Sequence, residues 1–85
     1  MIFKPTKIPG AYIIELEKRE DDRGFLARCW DKVEFTKQGI DMDLVQGYVT
    51  VSKKKGTMRG FHWQVEPSAE AKLNRCVKGA VYEVI

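Results

Sequence analysis

Apolar and polar positions alternate along most of this chain, and a period of two recurs far more often than the 3.6 of an amphipathic helix. The pattern predicts a mainly β protein. Ala11-Tyr12-Ile13-Ile14-Glu15-Leu16 is rich in β-branched and aromatic residues and reads as a first strand. The polar stretch Lys18-Arg19-Glu20-Asp21-Asp22 is expected to end that strand in a turn, before Arg23-Gly24 opens a segment in which Phe25, Ala27 and Cys29 share a face. Further on, Val45, Gly47, Val49 and Val51 alternate with Gln46, Tyr48, Thr50 and Ser52, and Lys53 to Gly56 turns the chain into Thr57-Met58-Arg59, a hairpin pattern. Phe61, Trp63 and Val65 oppose Gly60, His62 and Gln64, which predicts the two aromatic rings in the core. After a loop at Glu66-Pro67-Ser68-Ala69, Lys72 to Val77 and Ala80 to Ile85 read as two more strands around a turn at Lys78-Gly79.

One segment departs from the alternation. Asp31 can cap a helix while Glu34, three residues later, closes a capping box, and Gly39 supplies the stop. The predicted helix is two turns at most. About six strands with open edges do not close a barrel. The apolar alternation of Val81-Tyr82-Glu83-Val84-Ile85 also runs to the last residue. The chain is therefore expected to continue in the natural protein or to complete its sheet against a second copy.

Length confines the architecture to a single small domain over residues 1–85. With 44% hydrophobic and 32% charged residues, the chain has the make-up of a soluble globular protein. No apolar run approaches the roughly 18 residues of a membrane span. Met1-Ile2-Phe3-Lys4-Pro5 lacks the basic start and long apolar stretch of a secretory signal, so a cytoplasmic protein with no membrane partner is expected. Cys29 and Cys76 sit in strand-like segments without metal-ligand spacing and read as small buried hydrophobes in a reducing compartment. A net charge of +3, partly concentrated in Lys53-Lys54-Lys55, suits an anionic small ligand. It is weak for a nucleic-acid binder, so no nucleic-acid partner is expected. The lysine run alone reads equally as a solvated loop.

The candidate chemistry gathers around the single histidine, within Arg59-Gly60-Phe61-His62-Trp63-Gln64, and Lys72 ten residues on. An imidazole exchanges protons near neutral pH, and ammonium and guanidinium groups hold anions or a developing oxyanion. Taken alone, the same residues also describe a satisfied sheet histidine among solvated cations. Regular alternation puts Arg59 and His62 on opposite faces, and Gly60 is the natural place for a bulge that would let both serve one site.

Asp22-Arg23-Gly24-Phe25, Gly56-Thr57-Met58-Arg59-Gly60-Phe61-His62-Trp63-Gln64, Ala71-Lys72-Leu73 and Cys76-Val77-Lys78-Gly79-Ala80-Val81 together resemble the N-terminal half of the dTDP-4-dehydrorhamnose 3,5-epimerase family, in order and in spacing. The resemblance implies a cupin-type jelly roll, here its N-terminal part with one short helix. It also implies a homodimer whose N-terminal segment joins the partner's sheet, and a dTDP-linked 4-keto-6-deoxy sugar as substrate. The implied reaction is epimerisation at C3, C5 or both, by proton abstraction α to the ketone and without a cofactor, in the making of rhamnose or other surface-glycan precursors. His62 matches the family's base and Lys72 the lysine that supports the enolate. Arg23 and Arg59 match residues that bind diphosphate and sugar, and Phe25 and Gln46 resemble nucleotide contacts. Tyr48 to Val51 replace a more polar stretch of the family. The family's acid tyrosine and the aspartate that pairs with the histidine lie beyond Ile85. Cupin metal sites use two or three histidines, and this chain has one, with Trp63 and Gln64 after it, so no metal is expected. The alternative is a sugar-nucleotide binding module or an inactive fragment of the family, which would bind through Arg23, Arg59 and Phe25 without moving protons.

Overall fold

Ile2 to Pro5 and Tyr12 to Glu15 form the first hairpin of the computed structural model, which describes all 85 residues. These strands, β1 (Ile2–Pro5) and β2 (Tyr12–Glu15), pair antiparallel with Phe3 opposite Ile14 and Pro5 opposite Tyr12. The connection is held by its own short hydrogen bonds. Thr6 N donates to the Ala11 carbonyl at 3.0 Å and Ala11 N to that of Ile8 at 3.1 Å. The N-terminal segment thus pairs with its own chain's β2, and its other edge is open. The chain divides into two compact units, Met1–Tyr48 and Val49–Ile85.

The first unit also contains β3 (Arg19–Asp21), β4 (Gly24–Leu26) and α1 (Lys32–Lys37). The polar stretch expected to be a turn is in part a strand: β3 pairs with β4, Glu20 opposite Phe25 and Asp21 opposite Gly24. Only Asp22 and Arg23 remain as the turn. Charged side chains suit a short exposed strand, where they discourage pairing with other chains. No non-glycine residue has positive φ, so the turn geometry falls on Gly24, at φ +130.

The helix follows its cap and stop signals, but the expected capping box is only half made, because the Glu34 carboxylate accepts from the Met1 amino group at 2.8 Å and from Arg28 at 2.9 Å rather than from Asp31 N. Asp31 is the N-cap, its carboxylate accepting from Glu34 N at 2.9 Å, and Gly39 ends the run at φ +76. Asp31→Ala is expected to cost about 1 kcal/mol, read as a lower denaturation midpoint, and an unchanged midpoint would show that the cap does not hold α1. Phe35 on this helix is the sole buried side chain, 2% exposed. Its ring meets Phe3 edge to face at 5.1 Å, and Phe3 meets Tyr12 in the same manner at 6.4 Å. Three rings, one from each of β1, β2 and α1, therefore make the core of this unit.

From Val45 onward the alternation does not become a ladder. No strand forms between Val45 and Ile85, although four strands were predicted there. The predicted turns are present: Thr57 N donates to the Lys54 carbonyl at 3.4 Å, Ser68 N to that of Val65 at 2.9 Å, and the chain bends at Lys78-Gly79. Alternation fixes the face a residue takes, but a ladder needs a partner strand in register. Phe61 and Trp63, expected in the core, are 73% and 75% exposed, and Cys29 and Cys76 are exposed free thiols rather than buried ones. The architecture is mainly β, two small antiparallel hairpins and one short helix, and no barrel closes. No helix is long and apolar enough to cross a membrane.

Candidate active site

In the first unit the β3–β4 hairpin presents Arg23 and Phe25. Asp21 precedes Arg23 by two residues, and its carboxylate accepts from Arg23 N at 2.9 Å, Nε at 3.3 Å and a terminal guanidinium nitrogen at 2.6 Å. Asp21 therefore orients Arg23. The guanidinium's hydrogen bond holds the Asp21 carboxyl below the usual carboxylate range, and Arg23 is raised in turn. Asp21, Arg23, Gly24, Phe25 and Leu26 line an open cavity of about 230 Å³. The Lys18 ammonium stands 4.6 Å over the Phe25 centroid, a cation–π contact on one face of that ring. Gln46, in the same unit, accepts from the Tyr48 hydroxyl at 2.7 Å.

The second unit holds Arg59, His62 and Lys72. Arg59 reaches back across the Lys53–Thr57 turn, its Nε donating to Ser52 Oγ and a terminal nitrogen to the Val51 carbonyl, both at 3.1 Å. These contacts hold the two arms of the turn where a ladder was expected. Gly60 has φ +126, a conformation L side chains rarely adopt, so the regular alternation between Arg59 and His62 is broken at the glycine singled out for it. Lys72 Nζ donates to the His62 backbone carbonyl at 3.1 Å and pairs with Glu70 at 2.9 Å. The structure thus brings the candidate base and the candidate enolate support into direct contact through the backbone of one and the side chain of the other.

Lys18 and Glu70 escaped the sequence reading. Lys18 lies in a stretch expected to be a turn, and only its being the lead-in to a strand puts it beside Phe25. Glu70 carried one available signal, its position two residues before Lys72, which in an extended segment puts both side chains on the same face.

Residues 5–85 match the family described as dTDP-4-dehydrorhamnose 3,5-epimerase. A Sinorhizobium fredii protein of that name is 37% identical over 84 residues, covering 99% of this chain and 43% of the relative. One from Shigella flexneri is 39% identical over 80 residues, covering 93% and 44%. A dTDP-4-dehydrorhamnose 3-epimerase of Streptomyces niveus is 34% identical over 86 residues, covering 100% and 41%. The chain spans less than half the length of these relatives. No solved structure gives a significant match.

Proposed function

The chain belongs to the dTDP-4-dehydrorhamnose 3,5-epimerase family, and from that membership we propose that it is the N-terminal part of a cupin-type jelly roll. The full-length protein, in this reading, epimerises a dTDP-linked 4-keto-6-deoxy sugar at C3, C5 or both. The protons at those carbons are acidic because each is α to the ketone, so the chemistry needs a base, a group for the enolate oxygen and an acid on the opposite face. His62 removes the proton. Lys72 holds the enolate oxygen with its compact ammonium charge. Arg23 and Arg59 bind the diphosphate and sugar, Phe25 stacks on the thymine and Gln46 hydrogen-bonds its edge. The ketone supplies the acidity, so no cofactor enters. The acid and the histidine's carboxylate partner come from residues after Ile85, and a homodimer completes the assembly.

The observation that carries this reading is the contact of the Lys72 ammonium with the backbone carbonyl of His62, the chain's one histidine, in a chain whose named relatives are epimerases. The 3-epimerase among those relatives is why the number of inverted centres stays C3, C5 or both. Trapping the 4-ketone by borohydride reduction after incubation with the full-length protein is the test. Expected are 6-deoxyhexoses inverted at C3, C5 or both. Products of wholly unchanged C3 and C5 configuration would contradict the epimerase.

A further expectation concerns Arg23. Asp21→Ala frees the guanidinium and is expected to weaken dTDP binding up to about fivefold, as for an exposed ion pair, in a calorimetric titration of the full-length protein. Asp21 has a lowered titration point, so the pairing is complete above the ordinary aspartate value of 3.8 and is lost as the pH falls through the lowered one. Unchanged affinity at neutral pH would remove Asp21 from the binding role.

A further inference from the structure

Lys72 has three N–H donors arranged tetrahedrally. One of them is engaged by the His62 carbonyl at 3.1 Å, and the ammonium also pairs with the Glu70 carboxylate at 2.9 Å. A hydrogen bond and an ion pair on one nitrogen hold the ammonium in place. A four-carbon stem with free rotation would otherwise sweep the ammonium through many rotamers, and ordering it at the moment of reaction raises the barrier. We infer that Glu70 is a positioning residue, which with the His62 carbonyl holds the Lys72 ammonium where it can meet the oxygen of an anionic, enolate-like intermediate. Both side chains are partly exposed, 38% for Glu70 and 45% for Lys72, so the pair contributes little to folding and its value lies in geometry.

The inference rests on the proposed roles of His62 and Lys72. In the full-length protein Glu70→Ala is expected to lower kcat about fivefold, the upper end of what an exposed pair supplies, with KM and thermal midpoint unchanged. Glu70→Gln keeps an amide oxygen that accepts from Lys72 and is expected to recover most of the lost rate. A merely structural role would instead lower the midpoint and move KM and kcat together. Lys72→Ala and His62→Asn are measured alongside. If both retain the wild-type rate, the proposed roles of His62 and Lys72 fail and the role of Glu70 with them. If both lose the rate while Glu70→Ala keeps it, or if the alanine and glutamine variants are equally impaired, only the role of Glu70 is overturned.

Discussion

His62→Asn in the full-length protein is expected to slow the exchange of the substrate's C3 and C5 protons with solvent by about 10²–10⁴-fold, the range that a positioned general base supplies. Asparagine keeps a polar planar group of similar reach but has no lone-pair nitrogen that can take a proton at neutral pH. The backbone carbonyl of residue 62, which accepts from Lys72 at 3.1 Å, is untouched by the change. Enolate support and nucleotide binding are therefore expected to survive, and dTDP affinity should stay within a factor of two or so of wild type. Loss of exchange with retained dTDP binding is the signature of a missing base. Exchange at the wild-type rate would move the base to another residue.

Phe35→Ala is expected to have the largest effect on folding of any single change in the first unit. Phe35 is its one buried side chain and links α1 to β1 through the edge-to-face contact with Phe3 at 5.1 Å. Truncating a buried phenylalanine typically costs about 3–5 kcal/mol, from lost burial and the cavity left behind. A small core has little in reserve, since whole domains are stable by only about 5–15 kcal/mol. Fluorescence-monitored denaturation of the full-length variant is expected to show this segment unfolding at lower denaturant, or unfolded at the outset. A midpoint within 0.5 kcal/mol or so of wild type, the ordinary range for surface changes, would show that the three-ring cluster does not hold the unit together.

Local signals were the ones the sequence made legible. The Asp31 cap and the Gly39 stop are each set by residues close by in the chain, and α1 lies between them as expected. β2 and the turns at Lys53–Gly56 and Glu66–Ser68 were legible for the same reason. What needs a distant partner was not. The alternation from Val45 to Ile85 is a strand pattern, yet each strand requires a neighbour to pair with and a layer to cover it, and neither is a property of the segment itself. Phe61 and Trp63 are exposed for that reason, although their spacing marks them as core. In the opposite direction, the charges of Arg19, Glu20 and Asp21 suggested a turn, but pairing with Gly24–Leu26 made them a strand. The pairing of Arg23 with Asp21 spans only two residues, whereas the Lys18 contact with Phe25 and the Lys72 contact with His62 emerge only from the folded chain.

Incubating the full-length protein with dTDP-4-keto-6-deoxyglucose in deuterium oxide, and following the sugar protons by NMR, tests the central claim most directly. Abstraction of a proton α to the ketone predicts loss of the C3 signal, the C5 signal or both, with deuterium retained in the sugar. A protein that binds dTDP yet leaves both signals intact would be a sugar-nucleotide binding module, and the epimerase assignment would be wrong.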